Sequence, residues 1–245
     1  VLTLTLLSGP LAAQSNPYLR GGVSAAWSQD TQFRDQFCSS TQPPALFGCV
    51  AGNDGQALAA RGDFGSSPGI ETAIGYHVNS LLRLEGMLNY QRDLDFSGQA
   101  NFLGVSGAQP VQAEASALSA FAMLYADLPT LGRVQPYAGL GIGVSYMRLG
   151  AVRYGFPGLG ATAATLSPSG KQLDNAWLLT AGAALPLSGN LLLDLAYRYS
   201  DLGEVETDSG PATIIRNSGT RTLDIDGTRA ELQSQGLVLS LRYHF

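Results

Sequence analysis

The sequence predicts an all-β chain, an eight-stranded antiparallel transmembrane β-barrel with four long external loops, and three observations lead there. Apolar residues recur with period two in about eight segments, the pattern of a sheet with two unlike faces. The connectors between those segments are alternately short and long, as expected of an outer-membrane barrel. Aromatic residues on the apolar face gather near the segment ends, at the heights where a membrane interface holds them.

Charged residues make up only 13% of the 245, about half the share of a soluble domain, and glycine occurs 30 times. Something other than water can therefore cover much of the surface. A net charge of -5 with a single lysine, Lys171, leaves no basic footprint for nucleic acid, and no nucleic-acid partner is expected. The first residues carry an apolar run over 1–7, the breakers Gly9 and Pro10, and small Ala12, Ala13 and Ser15. They predict a residual signal peptide over 1–15, cleaved after Ser15, and an outer-membrane β-barrel over 16–245. Beyond that run nothing approaches the roughly 18 apolar residues of a membrane helix, so any crossing is made by strands.

The first segment, about 17–28, sets Leu19, Val23, Ala25 and Trp27 against Arg20, Gly22, Ser24 and Ala26. The second, about 69–78, sets Ile70, Thr72, Ile74, Tyr76 and Val78 against Glu71, Ala73, Gly75 and His77, and Asn79 and Ser80 turn the chain. In the third, about 81–93, Leu82, Leu84, Leu88 and Tyr90 oppose Arg83, Glu85, Asn89 and Gln91. The fourth, about 115–128, is apolar on both faces and its register is not readable. The fifth alternates Ala138, Leu140, Ile142, Val144 and Tyr146 with Gly139, Gly141, Gly143 and Ser145. The sixth, about 175–187, carries Trp177, Leu179, Ala181, Ala183 and Leu185 on its apolar face. The seventh sets Leu191, Leu193, Leu195, Tyr197 and Tyr199 against Asp194, Ala196, Arg198 and Ser200. The eighth sets Leu237, Leu239, Leu241, Tyr243 and Phe245 against Val238, Ser240, Arg242 and His244.

The long connectors, about 29–67, 96–114, 150–174 and 201–231, are rich in Gly, Pro, Ser, Asn and Asp. A soluble barrel would also alternate, but with its apolar residues inside. Here the apolar face is nearly pure and the other mixes small residues with charges of both signs. Trp27, Tyr90, Tyr146, Trp177 and Tyr199 fall at the long-connector ends of the apolar face, and Tyr76, Tyr243 and Phe245 at the short-turn ends. Two aromatic girdles are thus expected.

The stretches LRLEGMLNYQRD, PYAGLGIGVSY and AYRYSDLGEVET, with the terminal aromatic, resemble the opacity-type and OmpA-like small outer-membrane surface proteins of Gram-negative bacteria. The resemblance implies the bacterial cell outer membrane, with outer-membrane lipid and lipopolysaccharide around the barrel. It also implies that Phe245 belongs to the signal read by the barrel-assembly machinery. The function it implies is that of a non-enzymatic surface protein serving envelope integrity or adhesion, with a host or envelope protein met at the external loops. A small channel or ligand-conducting barrel is the alternative, and an outer-leaflet lipid-modifying enzyme a third reading.

Cys38 and Cys49 share the first long connector, and in an oxidising compartment they are expected to form a disulfide. Neither histidine lies near them in sequence, so no metal site is expected. His77 and His244 sit at short-turn ends without a visible nucleophile and orienting partner, so no catalytic residue is expected. The G-x-G-x-x-A letters at 158–163 lack the strand-turn-helix context of a dinucleotide site, and no cofactor is expected. The inward registers place Arg20, Glu71, Arg83, Glu85, Asp194, Arg198 and Arg242 in the lumen as a mixed-sign plug. A water-filled lumen that merely solvates these groups is the other reading.

Overall fold

The computed structural model describes residues 17–245, so the expected signal segment 1–15 lies outside the described residues. Eight long strands close a ring. They are β1 (Pro17–Ser28), β4 (Ser66–His77), β5 (Leu82–Ala100), β6 (Pro110–Asp127), β7 (Gln135–Leu149), β10 (Gly170–Pro186), β11 (Leu191–Glu206) and β14 (Thr228–His244). Each pairs antiparallel with its neighbour in that order, and β1 closes on β14 from Tyr18↔His244 to Ser28↔Ser234. A ring that closes on itself leaves no backbone edge to lipid, the condition for sheet inside a membrane.

The two faces follow the alternation. Leu19, Val23, Ile70, Ile74, Leu88, Ile142, Leu179, Leu195 and Leu239 point outward and are exposed, while the intervening positions are buried in the lumen. The fourth segment, unreadable in sequence, turns Phe121, Met123, Tyr125 and Asp127 inward. Its partner strand decides this. Phe121, Met123 and Tyr125 lie opposite Gly143, Gly141 and Gly139, and a Cβ at any of those glycines would collide with the strand facing it. The Tyr125 and Met123 side chains occupy the space that Gly139 and Gly141 leave, and Gly143 lies against the backbone of Ala120 and Phe121.

The long connectors carry short strands, most fully over 201–231, while residues 36–59 of the first are turns and bends. They contain β2 (Thr31–Asp35), β3 (Ala60–Asp63), β8 (Arg153–Gly155), β9 (Ala164–Leu166), β12 (Gly210–Arg216) and β13 (Gly219–Ile225). Two bulges mark where the first wall ends. One lies between Gln91 and Leu94, where Asp93 takes φ 55°, and the other between Asp201 and Glu204, where Gly203 takes φ 89°. An inserted residue restarts the ladder with extra twist, so β5 with β6, and β11 with β14, run on past the aromatic rows. There β2 and β3 bridge β14 to β5, while β8, β9, β12 and β13 extend outward from β6. The external half is therefore a second tier of wall.

Candidate functional site in the barrel lumen

The lumen is filled in three layers. At the short-turn mouth, His77 and His244 stack with ring centroids 5.3 Å apart, each against Tyr18 at 5.7 and 5.4 Å. His77 Nε2 lies 3.6 Å from Asp127 Oδ2. Behind them Arg83 pairs with Asp127 at 2.8 Å, and Arg242 with Asp194 at 2.8 Å. One level deeper, the Arg20 guanidinium contacts both Glu71 and Glu85, and Arg198 Nη1 donates to Glu71 Oε2 at 2.5 Å. Tyr18 donates its hydroxyl proton to Glu85 at 3.0 Å and accepts from Arg83 at 3.2 Å, and Tyr125 donates to Glu85 at 3.3 Å. Arg83 also stands over the Tyr125 ring, 4.5 Å from its centroid.

All seven sequence-predicted charges are thus brought together, along with four residues that the sequence did not single out: Asp127, Tyr18, Tyr125 and Tyr137. Asp127 equalises the charge. Arg20, Arg83, Arg198 and Arg242 face Glu71, Glu85, Asp127 and Asp194, each in at least one ion pair. The signal was available, because four arginines against three carboxylates left one cation to satisfy, and Asp127 ends the unassigned strand.

Above the charges lies a layer of small hydroxyls and amides. Ser119 donates to Ser145 at 2.9 Å, and the Ser200 and Ser234 hydroxyls lie 3.0 Å apart. Here Ser24 Oγ, Ser67 Oγ, Asn89 Nδ2, Gln91 Oε1 and Arg198 Nε have no hydrogen-bond partner. Met87, Met123, Met147 and Leu178 pack among them, fully buried.

The external tier encloses a third, apolar layer. Phe33, Phe64 and Phe96 meet edge to face at 4.8 to 6.0 Å, and Phe47 stacks on Phe102 at 4.9 Å beside Tyr154 and Phe156. This layer went unseen in the sequence, although Phe33, Phe47, Phe64, Phe96, Phe102 and Phe156 are most of the chain's 9 phenylalanines and lie at its long-connector end. Cys38 and Cys49 are joined, with Cα atoms 4.9 Å apart, in the segment that carries Phe47 into the layer. Asp35 braces the same segment by accepting from the backbone amides of Leu46, Phe47 and Gly48 at 2.7 to 3.2 Å. Burial raises its carboxyl above the ordinary 3.8, partly offset by those amides.

On the outer surface, Trp27, Tyr90 and Trp177 point away from the lumen near the long-connector ends, and Trp177 packs on Tyr199 at 5.4 Å. Tyr146 lies under Arg148 on the same face. Tyr76, Tyr243 and Phe245 point outward at the other end, with Tyr243 and Phe245 in edge contact at 5.5 Å. Among the described residues no cluster of His, Cys, Asp and Glu has the make-up of a metal site.

A closed antiparallel ring with an apolar outer band and a charged, filled interior defines a membrane β-barrel. The chain belongs to the family of the outer membrane protein beta-barrel domain, whose model matches residues 1–245, and its place is the bacterial outer membrane. Uncharacterized proteins of Brucella abortus and Brucella suis are each 28% identical over 205 residues, covering 78% of this chain and 69% of theirs. Two solved structures share the fold. The outer membrane protein OprG of Pseudomonas aeruginosa has a TM-score of 0.50 at 16% identity, covering 94% of this chain and 96% of its own. The outer membrane protease OmpT of Escherichia coli has a TM-score of 0.50 at 8% identity, covering 96% and 98%. At such identities the likeness is one of fold alone.

Proposed function

We propose that this protein is a non-enzymatic surface barrel whose lumen is shut and whose folded external tier is the working face, serving envelope integrity or adhesion. The observation that carries this reading is the continuous filling of the lumen, from His77 and His244 through the paired charges to the phenylalanine layer. Side chains that satisfy one another leave no path for solute, and an apolar cap costs much to hydrate. The aromatic rows Trp27, Tyr90, Tyr146, Trp177, Tyr199 and Tyr76, Tyr243, Phe245 would then lie at the two lipid interfaces, with Phe245 in the assembly signal. A wall continued in β-structure above the membrane holds a binding surface more rigidly than free loops do.

A gated channel is the second reading, and one observation favours it. The middle layer leaves Ser24, Ser67, Asn89 and Gln91 with unpartnered polar atoms, so water enters most readily there. Planar-bilayer recording separates the two readings. The wild-type chain should be nearly silent, and Arg198→Ala, which strips a partner from Glu71, should raise conductance. Large, steady, ohmic wild-type openings that Arg198→Ala leaves unchanged would put the channel first. For adhesion, variants with β12 and β13 or residues 36–59 replaced by short turns should insert normally and lose cell binding. Normal binding by all of them removes the adhesion half of the proposal.

A further inference from the structure

The hairpin of β12 and β13 ends the sheet, and among the described residues β13 pairs with β12 alone, from Gly210↔Ile225 to Arg216↔Gly219. Its outer edge is open. The residues from Gly219 to Asp224 are exposed whichever face they point to, with Leu223 at 47%. Just below them the Asp226 amide donates to the Pro44 carbonyl at 2.9 Å, so the edge is closed at its foot by the segment that the Cys38–Cys49 bridge holds. That bond fixes the phase of the edge. The amide and carbonyl of one strand residue point to the same side, and the side alternates along the strand. The backbone groups of Thr220, Thr222 and Asp224 therefore point away from β12, as those of Asp226 do. Pro211, which has no amide hydrogen to give, stands opposite Asp224 in agreement with this. An uncovered edge is a template for another strand, and proteins that keep one free blunt it with proline, lysine, a bulge or a cover. The seven residues of β13 include no proline and no lysine, and their ladder has no register shift.

We propose that β13 is a self-association edge, which takes the β13 of a second copy of this chain antiparallel to itself with Thr222 on the two-fold axis. In that register the whole strand overlaps, from Gly219 facing Ile225 to Ile225 facing Gly219. Thr222 faces its own counterpart, a pair that hydrogen-bonds across strands, and each Thr220 hydroxyl faces the Asp224 carboxylate of the other copy. On the opposite face each Arg221 lays its aliphatic stem along Leu223 of the other copy. The even-numbered residues meet as hydrogen-bonded pairs, which is the phase their free amides and carbonyls require. Neighbouring registers do worse. A shift of two residues one way sets Arg221 against Arg221, like charges directly opposed. A shift the other way calls on Asp226, whose amide is already given to Pro44. A second copy thus answers every group the edge offers without a like-charge contact, and the contact is the same from both sides, as a two-fold interface must be.

Both native cysteines are bridged, so an introduced cysteine is the sole thiol and reports the register directly. The full chain carrying Thr222→Cys, Thr220→Cys or Asp224→Cys is purified in detergent micelles, where two barrels can meet in any orientation, and is mildly oxidised. Disulfide-linked dimers are read by non-reducing electrophoresis, with the fast-migrating band of unboiled samples showing that each barrel is folded. Thr222→Cys should dimerise about fivefold or more above either other variant alone, because its Cα atoms meet at roughly 5.5 Å, within disulfide reach, while residue 220 lies roughly 13 Å from its own counterpart. Thr220→Cys mixed with Asp224→Cys should cross-link as well as Thr222→Cys does. Thr222→Pro leaves the hydrogen bonds to β12 in place and removes one free amide, so placed in both chains of that mixture it should cut the cross-link about fivefold or more. No dimer from Thr222→Cys, equal yields from all three variants alone, or a mixed cross-link that survives Thr222→Pro would each overturn the proposal. None of these results bears on the closed lumen or on cell binding, so the surface-barrel reading stands or falls separately.

Discussion

Arg83 donates from Nε to both carboxylate oxygens of Asp127, at 3.0 and 2.8 Å, and each side chain is 2% exposed. Two charges buried this deeply are stable only together, because removing one leaves the other uncompensated. Asp127→Ala should cost about 3 to 5 kcal/mol, and Arg83→Met with Asp127→Leu should recover most of it. The measurement is the temperature at which the folded, fast-migrating band converts to the unfolded one in electrophoresis. A double variant as labile as Asp127→Ala would show that the pair contributes more than mutual neutralisation.

Trp27 and Trp177 are the chain's 2 tryptophans, and both face outward at the same end of the barrel. If they mark the outer lipid interface, their fluorescence should be quenched more by bromines placed near the glycerol backbone than by bromines at the bilayer centre. The reverse order would put this row inside the hydrocarbon and move the whole membrane band.

The Cys38–Cys49 bridge closes a segment with a sequence separation of 11. On the chain-entropy account a loop of that size contributes about 3 kcal/mol. The segment belongs to the external tier, so Cys38→Ser with Cys49→Ser should speed proteolysis within residues 36–59 while leaving the melting of the transmembrane ring nearly unchanged. In the unreduced wild type, unfolding should expose no thiol to an alkylating reagent.

Asp35 supplies the pH dependence. Its folded-state carboxyl lies above the ordinary 3.8, chiefly through burial. The native state therefore holds the proton where the unfolded chain has released it, and stability falls as pH rises between 3.8 and the raised value. Asp35→Asn keeps an amide-accepting oxygen without the charge, so it should gain on the wild type as pH rises through that window. A variant that loses ground over the same window would mean that the amides of Leu46, Phe47 and Gly48 outweigh burial.

The ring strands were legible because a barrel wall has period two and contrasting faces, so Leu239 and Arg242 declare their sides without reference to any neighbour. The lumen charges were legible for the same reason. What failed was any strand that lacked the contrast. β6 is apolar on both faces, and its register, with Asp127, became visible only beside the glycines of β7.

By itself, then, the sequence determined the class of fold, the outward band, the seven lumen charges and the pairing of the cysteines, all of which rest on local alternation or on the scarcity of partners. Only the tertiary structure decided that the long connectors rise as a second tier and enclose a phenylalanine layer. Phe33 meets Phe96 at 4.8 Å across 63 residues of chain, and Phe47 meets Phe102 across 55. Short strands such as β8 and β9 have too few residues to show a period. Their conformation is imposed by the neighbours they pair with and by the apolar rings they cover, which no local pattern records.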